Sequence, residues 1–332
     1  MILSFRAQRR NLPLLLAATL LLAFSCCRMP LYDKEKKLDL QLTLNLELNV
    51  DIDMSIETDI DVVSNIALTE PEYMRACFFD PVTGEMTYYK YLPSEGGDIS
   101  IASGSYKMLV YSFGTEYTQI RNENNINNIE AFTSDITDSK ISTLRKFTET
   151  KAESDPIIYA PDHLLVAIEE VTIPEFTGES LTITLYATAN TIVETYTFEV
   201  HSVVGAEYIE SAEAFVTNQA RSYFIGRGEM NPEPATIFFP VGVDKNKGCL
   251  YTAFNTFGKL PGASEAYLHI LVRDTGGNEY AFTTDITDQF ENPDRHIVID
   301  EPVDIPEPEQ VDGGIAPTVD PWDEENHDVP IG

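Results

Sequence analysis

The thiol of Cys26 has the most distinctive chemical context in this chain, because it follows a stretch typical of an export signal. Three arginines between positions 6 and 10 make the N-terminus positive, and residues 12–24 are almost wholly apolar. A charged start, a short apolar run and small residues before a cut are typical of a secretory signal peptide. We therefore predict that residues 1–25 are a signal peptide and that Cys26 begins the exported chain.

A cysteine directly after the cut resembles the bacterial lipoprotein signal, in which acyl chains on that thiol hold the protein on a membrane. The apolar run is itself shorter than the roughly 20 residues that span a bilayer. Cys27 is the less favoured acceptor, since a cut before it would place Cys26 and Phe24 where small residues are usual. An ordinary signal peptide with a chance cysteine is the alternative. The pattern predicts a lipidated N-terminus and tether over residues 26–37.

Five histidines are the other side chains that could act in catalysis or hold a metal. They are His163, His201, His269, His296 and His327. No two of them have the spacing of metal ligands. The segment Asp51–Ser55 superficially resembles a calcium loop, but Ile56 stands where such a loop needs Gly. We therefore predict no catalytic residue, no cofactor and no metal site, and a protein that is not an enzyme.

The chain is strongly acidic. It carries 22 Lys+Arg against 54 Asp+Glu, a formal net charge of -32 at pH 7. Such a surface repels nucleic acid and anionic lipid, so neither is a predicted partner.

Two further cysteines, Cys77 and Cys249, lie within apolar runs in different halves of the chain. No spacing among the cysteines matches a metal site. Because an unpaired cysteine behaves as a small apolar residue, we predict buried free thiols rather than a disulfide.

Residues 38–62 carry the clearest structural pattern. Every even position except Thr58 is apolar, and every odd position is polar. A period of two places the apolar side chains on one face of a β-strand. A single strand of that length would measure roughly 80 Å, longer than one sandwich. The segment is therefore expected to bend or break near Asp51–Thr58.

Short apolar or alternating runs continue through the chain and predict β-strands almost everywhere. Those of the second half are Leu181–Ala187, Glu194–Val200, Ala214–Thr217, Ala235–Val241, Cys249–Phe254, Tyr267–Val272, Glu279–Thr283 and His296–Asp300. Many short strands with almost no helix predict an all-β fold of sandwich type.

Two strand pairs and one helix are predicted in the first half. Met74–Phe79 is expected to pair with Glu85–Leu92 across a turn that contains Pro and Gly. Asp98–Ile101 is expected to pair with Tyr106–Phe113 in the same way. Apolar residues at helical spacing favour a short helix over Ser139–Phe147.

A Pro and a Gly between two apolar segments at 173–178 indicate a linker. We predict an N-terminal β-sandwich domain over 38–172 and a C-terminal β-sandwich domain over 179–300. The exported chain has about 300 residues, which exceeds the usual size of a domain with a single hydrophobic core and favours two domains.

The end of the chain, residues 301–332, holds ten acids, six prolines and no Lys or Arg. This composition is typical of a disordered acidic tail. A terminal strand that docks on a sheet edge is the other interpretation, and it would use Val319, Trp322, Val329 and Ile331. These four residues are therefore the candidate strand-docking residues.

Short motifs in both halves resemble those of one protein family. They are Leu31–Asp33, Ser105–Glu116, Ile129–Thr133, Tyr159–Leu164, Gly205–Ile209, Asn255–Gly258 and Asp285–Gln289. They resemble a family of Bacteroidales lipoproteins grouped with the fimbrillin-like FimB type of minor fimbrial subunits. The resemblance covers most of the exported chain, and its motifs are structural, so they bear on fold more than on activity.

This resemblance implies two tandem transthyretin-like β-sandwich domains on a lipid-anchored protein of the outer membrane, at the cell surface. In such systems major subunits are trimmed by an Arg-specific protease and polymerise by strand exchange, whereas the FimB-type subunit keeps its lipid. No Arg lies between Arg28 and Arg75, so the trimming site is missing. A cut by a Lys-specific protease is the alternative, since lysines stand at Lys34, Lys36 and Lys37.

The sequence thus predicts a non-enzymatic fimbrial anchor or accessory subunit that joins fimbrillins through β-strand complementation. The alternative is a surface glycan-binding lipoprotein of a nutrient-uptake system. A strand-accepting subunit should present an open sheet edge or groove, whereas a glycan-binding protein should present a shallow aromatic platform.

Overall fold

The computed structural model describes residues 37–48, 68–136, 155–175, 183–262 and 265–308. In chain order the strands are β1 (Lys37–Leu46), β2 (Tyr73–Phe79), β3 (Met86–Pro93), β4 (Gly96–Ala102), β5 (Gly104–Ser112), β6 (Gln119–Arg121), β7 (Glu130–Phe132), β8 (Ile157–Tyr159), β9 (Leu165–Ile173), β10 (Ile183–Thr191), β11 (Glu194–Val200), β12 (Val203–Val204), β13 (Ile209–Ala220), β14 (Ser222–Phe224), β15 (Glu229–Met230), β16 (Pro234–Asp244), β17 (Cys249–Thr256), β18 (Tyr267–Asp274), β19 (Glu279–Asp285), β20 (His296–Ile299) and β21 (Val303–Asp304). Short 3₁₀ turns lie at Ala206–Tyr208 and Gln289–Glu291. No helix within these described ranges is long and apolar enough to cross a membrane. The predicted all-β fold is confirmed, while the predicted helix Ser139–Phe147 lies outside the described residues.

Seven strands form the first sheet, in the order β3-β2-β5-β9-β10-β1-β4. β9 and β10 share only two paired positions, Val166 with Asn190 and Leu165 with Thr191. The sheet folds over there, so that β3-β2-β5-β9 packs against β10-β1-β4 across a core of aliphatic side chains and Phe78. This arrangement is a sandwich made from one continuous sheet.

The alternation predicted over 38–62 is confirmed along β1. Leu38, Leu40, Leu42 and Leu44 are buried, and the residues between them are exposed or half-exposed. β1 runs parallel to β10 and antiparallel to β4, so both of its backbone edges are paired. The strand ends at Leu46, ahead of the predicted break, which lies outside the described residues.

The predicted hairpin of β2 and β3 is confirmed, but the predicted pairing of β4 with β5 is wrong. β4 pairs with β1, and β5 lies between β2 and β9. Gly96, the first residue of β4, has φ 103°, and a Cβ on it would overlap the carbonyl of Leu42. Only glycine permits this conformation and this backbone approach. Two neighbouring runs therefore belong to opposite layers of the sandwich.

The second sheet has the order β19-β18-β13-β16-β17-β11-β20, with β8 beside β16. Its core contains stacked aromatic rings among many aliphatic side chains. Phe239 and Phe254 stack with centroids 4.2 Å apart and planes 2° apart, and Tyr196 stacks on Phe254 at 5.8 Å. In the second half of the chain, each predicted apolar run overlaps a strand. All of these strands belong to the second sheet except β10, which belongs to the first.

The two halves are joined by paired strands as well as by the connecting chain. β7 pairs with β14 in a four-stranded sheet of β15, β14, β7 and β6, which takes two strands from each half. β8 pairs with β16 and so adds an early strand to the second sheet. A core cluster at this joint includes Phe79 and Tyr111 from the first half and Phe257 from the second.

Strand pairing passes from the first sheet to the second between Thr191 and Glu194. This change lies downstream of the predicted linker at 173–178, because β10 returns to pair with β1. The hydrogen-bonded limit of the N-terminal sheet is therefore Thr191 rather than residue 172. Independent folding of two domains is a separate property, and it stays a prediction.

The first residues of the predicted tail are part of the second half's fold. Val303 and Asp304 pair with Val203 and Val204, and Val303 and Ile305 are buried in the second core. The tail therefore begins later than the predicted Glu301. Residues 309–332 lie outside the described structure.

Candidate functional site

The residues singled out from the sequence as functional lie outside the described part of the chain. They are Cys26 and Cys27 as lipid acceptors and Val319, Trp322, Val329 and Ile331 as strand-docking residues. Their roles therefore stay predictions. The described residues instead present a groove in the first sheet that the sequence did not single out.

Among the described residues, the first sheet is open between β9 and β10. Pairing with β10 stops at Val166, although β9 continues to Ile173 in its ladder with β5. β10 pairs with β1 along 183–189, and no described strand pairs with its opposite edge over that range. We call the space between these two unpaired edges, 167–173 of β9 and 183–189 of β10, the strand gap.

Alternate peptide groups of β10 face the strand gap. The carbonyl of Ala189 accepts the N–H of Glu47 at 3.0 Å, on the β1 side. Successive residues of a strand direct their peptide groups to opposite edges, so those of Thr184, Tyr186 and Thr188 point into the gap. Unpaired edges of this kind are templates for pairing with another extended segment.

Apolar side chains line the inner side of the strand gap. Val171 of β9 and Ile183 and Leu185 of β10 are partly buried and pack against the first core. Tyr186 points outward and is 73% exposed. An extended segment in the gap would gain main-chain hydrogen bonds and would bury every second side chain against the core. The sequence did not reveal this groove, because it depends on where two strands diverge.

The outer edge of β3 is better protected than the strand gap. Lys90 extends across the edge, and its Nζ donates to the carbonyl of Asp98 at 2.6 Å. The strand ends in Pro93, which has no N–H to offer. Lysine and proline are common protections of an edge strand. The strand gap is therefore the better acceptor of these two edges.

A buried carboxylate lies where the two halves meet. Glu130 of β7 is 4% exposed and accepts from Arg121 Nε at 2.7 Å and Arg121 Nη2 at 2.8 Å. It also accepts from the hydroxyl of Ser222 in β14, which in turn accepts from Asn231 at 2.9 Å. Burial alone would raise the pKa of Glu130, but the hydrogen bonds from Arg121 and Ser222 outweigh it and hold the pKa below its usual range. A lone acid between apolar neighbours was the sequence signal for this site.

Replacement of Glu130 by Gln is expected to destabilise the fold by about 1.5–3 kcal/mol, since it removes charge-assisted hydrogen bonds from a buried position. The measurement is urea unfolding at neutral pH. A lowered carboxyl pKa stabilises the fold above the ordinary pKa and loses that effect as the pH falls through the lowered value. The difference between wild type and Glu130→Gln should therefore shrink in acid.

The matched control is Glu233→Gln. The Glu233 side chain is 64% exposed and pairs with Arg221 at 3.3 Å, and an exposed pair contributes about 1 kcal/mol or less. Equal losses from the two substitutions would contradict a stabilising role for the Glu130 cluster.

Of the histidines and cysteines that the structure describes, four lie in buried positions, namely His163, His269, Cys77 and Cys249. The ring nitrogens of His163 lie 2.9 Å from Thr191 Oγ1 and 3.3 Å from Thr195 Oγ1. Burial lowers the pKa of His269 to about 4 and raises the pKa of Cys77 to about 12. The predicted buried free thiols at Cys77 and Cys249 are confirmed. Within the described ranges no group of His, Cys, Asp and Glu is arranged to hold a metal.

Comparison with known proteins gives one family and several relatives. Residues 50–240 match the family described as "Domain of unknown function (DUF5119)". A Bacteroides ovatus protein named "Putative fimbrium anchoring subunit Fim4B" is 26% identical over 299 residues, covering 79% of this chain and 85% of that protein. The crystal structure of a "putative adhesin" from Bacteroides ovatus has TM-score 0.54 and 20% identity, covering 81% of this chain and 94% of that one. The structural likeness shows a common fold, and the resemblance to fimbrial anchor subunits is confirmed.

Proposed function

This chain belongs to the family described as a domain of unknown function, DUF5119, and we propose that it serves as a fimbrial anchor or accessory subunit at the cell surface. The observation that carries the proposal is the similarity to a Bacteroides ovatus protein named as a putative fimbrium anchoring subunit. The alignment covers 79% of this chain, which is too long to be confined to one of the two sheets. The likeness therefore extends over both halves of the folded chain.

The partner is a fimbrillin, and the contact is β-strand complementation. The strand gap supports this, because its two unpaired edges and its apolar inner wall suit an extended donor segment with alternating apolar side chains. The docking residues Val319, Trp322, Val329 and Ile331 supply the reciprocal route, in which the tail of this chain is the donor.

Attachment to the outer membrane goes through lipid on Cys26. The export signal before Cys26 supports this, as does the lack of Arg between Arg28 and Arg75. Provided that no Lys-directed cut occurs at residues 34–37, β1 stays covalently joined to the lipidated N-terminus. The same strand is packed into the first core by four leucines, so a load on the fibre would pass through a paired strand to the membrane.

Tyr186→Pro tests capture through the strand gap. Proline removes the N–H that points into the gap, while the ladder between β10 and β1 uses the other residues of the strand. We expect the variant to fold and to bind a purified fimbrillin at least tenfold more weakly in surface plasmon resonance. Tyr186→Thr is the control, because it keeps the N–H and a good strand former, and it should bind like wild type.

Wild-type affinity in Tyr186→Pro would show that the strand gap is not the acceptor. The wider role is tested in cells. Deletion of the gene should release fimbriae into the medium or change their length, and fimbriae that stay attached and unaltered would contradict an anchoring or accessory role.

A further inference from the structure

Four exposed aromatic side chains gather on one face of the first sheet. Tyr73, Tyr89, Tyr91 and Phe113 are 46%, 50%, 49% and 38% exposed. The ring centroids of Tyr91 and Phe113 are 5.0 Å apart, and those of Tyr89 and Tyr91 are 6.0 Å apart. We call these four residues the ring platform. Aromatic residues at alternating positions of a strand usually lie in the core, whereas these four are exposed.

The strand register explains why these rings face outward. Arg75 of β2 is paired with Tyr91 of β3 on one side and with Tyr111 of β5 on the other. Its neighbours Met74 and Ala76 point into the first core. Because side chains alternate along a strand, Arg75 and its paired neighbours share the opposite, outer face.

Arg75 supports the platform from below. Its guanidinium carbon lies 4.5 Å from the ring centroid of Tyr89 and 5.5 Å from that of Tyr91. Glu123 forms an ion pair with Arg75 and accepts the hydroxyl of Tyr111 at 2.6 Å. The ion pair holds the guanidinium in place, and cation–π attraction fixes the rings on it. The rings are therefore preorganised, and the Arg75–Glu123 pair that supports them carries no net charge.

The size of the ring platform favours a small ligand over a protein. An aromatic side chain buries about 200 Å². Four rings that are roughly half exposed thus offer roughly 400 Å², about half of the ~800 Å² that a standard protein interface takes from each partner. Exposed apolar patches of this size are often functional.

A cavity of about 540 Å³ opens beside the ring platform, and Tyr73 and Phe113 form part of its wall. Hydrogen-bonding side chains also line it, namely Thr69, Glu72, Ser112, Thr115 and Glu116. Carboxylates accept hydrogen bonds, and hydroxyls both donate and accept them. The site therefore joins flat apolar rings to a polar recess, which matches a ligand with an apolar face and a rim of hydroxyl groups.

We propose that the ring platform binds a neutral oligosaccharide, with successive sugar rings stacked on Tyr91 and Phe113 and hydroxyl groups directed into the cavity. An anionic polysaccharide would be repelled by Glu72, by Glu116 and by the net charge of the chain. This site gives a fimbrial subunit a second function in carbohydrate recognition. It lies on the outer face of β2, β3 and β5, away from the strand gap, and does not depend on strand capture.

The test is isothermal titration calorimetry of the full exported chain with neutral hexasaccharides of glucose, mannose, galactose or N-acetylglucosamine. At least one should bind. Tyr91→Ala and Phe113→Ala should each weaken that binding at least tenfold. Tyr91→Phe keeps the ring and should retain affinity. Tyr186→Ala removes a more exposed ring from β10 and should also bind like wild type. Thermal unfolding checks that each variant is folded.

Three results of the titrations would overturn the proposal. They are the failure of all four hexasaccharides to bind at millimolar concentration, binding of a uronic-acid hexasaccharide alone, and full affinity in the folded double variant Tyr91→Ala with Phe113→Ala. Protection of the platform tyrosines by a purified fimbrillin would also overturn it, since the platform would then be a protein interface. Tyr186→Pro should bind sugar normally, so failure of strand capture and failure of sugar binding are measured separately.

Discussion

A chain that lacks residues 37–48 is expected to leave the first sheet without stable structure. The deletion removes β1 and its four buried leucines. Burial of one such side chain contributes about 1.5–3 kcal/mol, so the four contribute about 6–12 kcal/mol. This is comparable with the whole stability of a domain, about 5–15 kcal/mol. The deletion also leaves the facing edges of β4 and β10 unpaired. Circular dichroism and thermal unfolding measure the loss.

A synthetic peptide of residues 37–48, added to the shortened chain, should restore the fold, because it supplies the same hydrogen bonds and the same leucines. A peptide with Leu40→Asp and Leu42→Asp should not. In the full chain, Leu42→Asp should destabilise by several kcal/mol, while Thr43→Asp on the exposed face should change stability by about 0.5 kcal/mol or less. Normal unfolding of the shortened chain would contradict a structural role for β1.

Cys26→Ser is expected to move the protein from the membrane fraction almost entirely to the soluble fraction. The reason is that several acyl chains hold a protein firmly on a membrane, whereas a single acyl chain binds reversibly. A protein without an acyl chain lacks this attachment. Metabolic labelling with a radioactive fatty acid should mark the wild type and leave Cys26→Ser unlabelled.

Cys27→Ser is the matched control, since it changes the neighbouring thiol alone. It should stay labelled and membrane-bound. Labelling that persists in Cys26→Ser and disappears in Cys27→Ser would show that the lipid acceptor is Cys27.

Much of the strand placement could be predicted from the sequence, because side chains alternate between the two faces of a strand and a half-buried strand therefore has an apolar period of two. β1, β2, β3 and β11 lie where their patterns indicated. The pairing of strands was harder to predict. β4 and β5 are separated by a single residue but belong to opposite layers, and this depends on the backbone approach of Gly96 to Leu42. The positions of the strand gap and of the ring platform were not predicted, since both sites arise from strands that are distant in sequence.

By itself the sequence determined the inward face of β1, the buried thiols of Cys77 and Cys249 and the all-β character of the chain, because burial of apolar surface follows local pattern. Only the tertiary structure decided which surfaces stay uncovered. Along one outer face, Phe79 and Leu109 are buried in a cluster that also contains Ile225 and Phe257 of the second half, whereas Tyr91 stays half exposed. β9 and β10 likewise part after two paired positions. Local pattern specifies which face a side chain takes, but only the packing of distant segments specifies what covers that face.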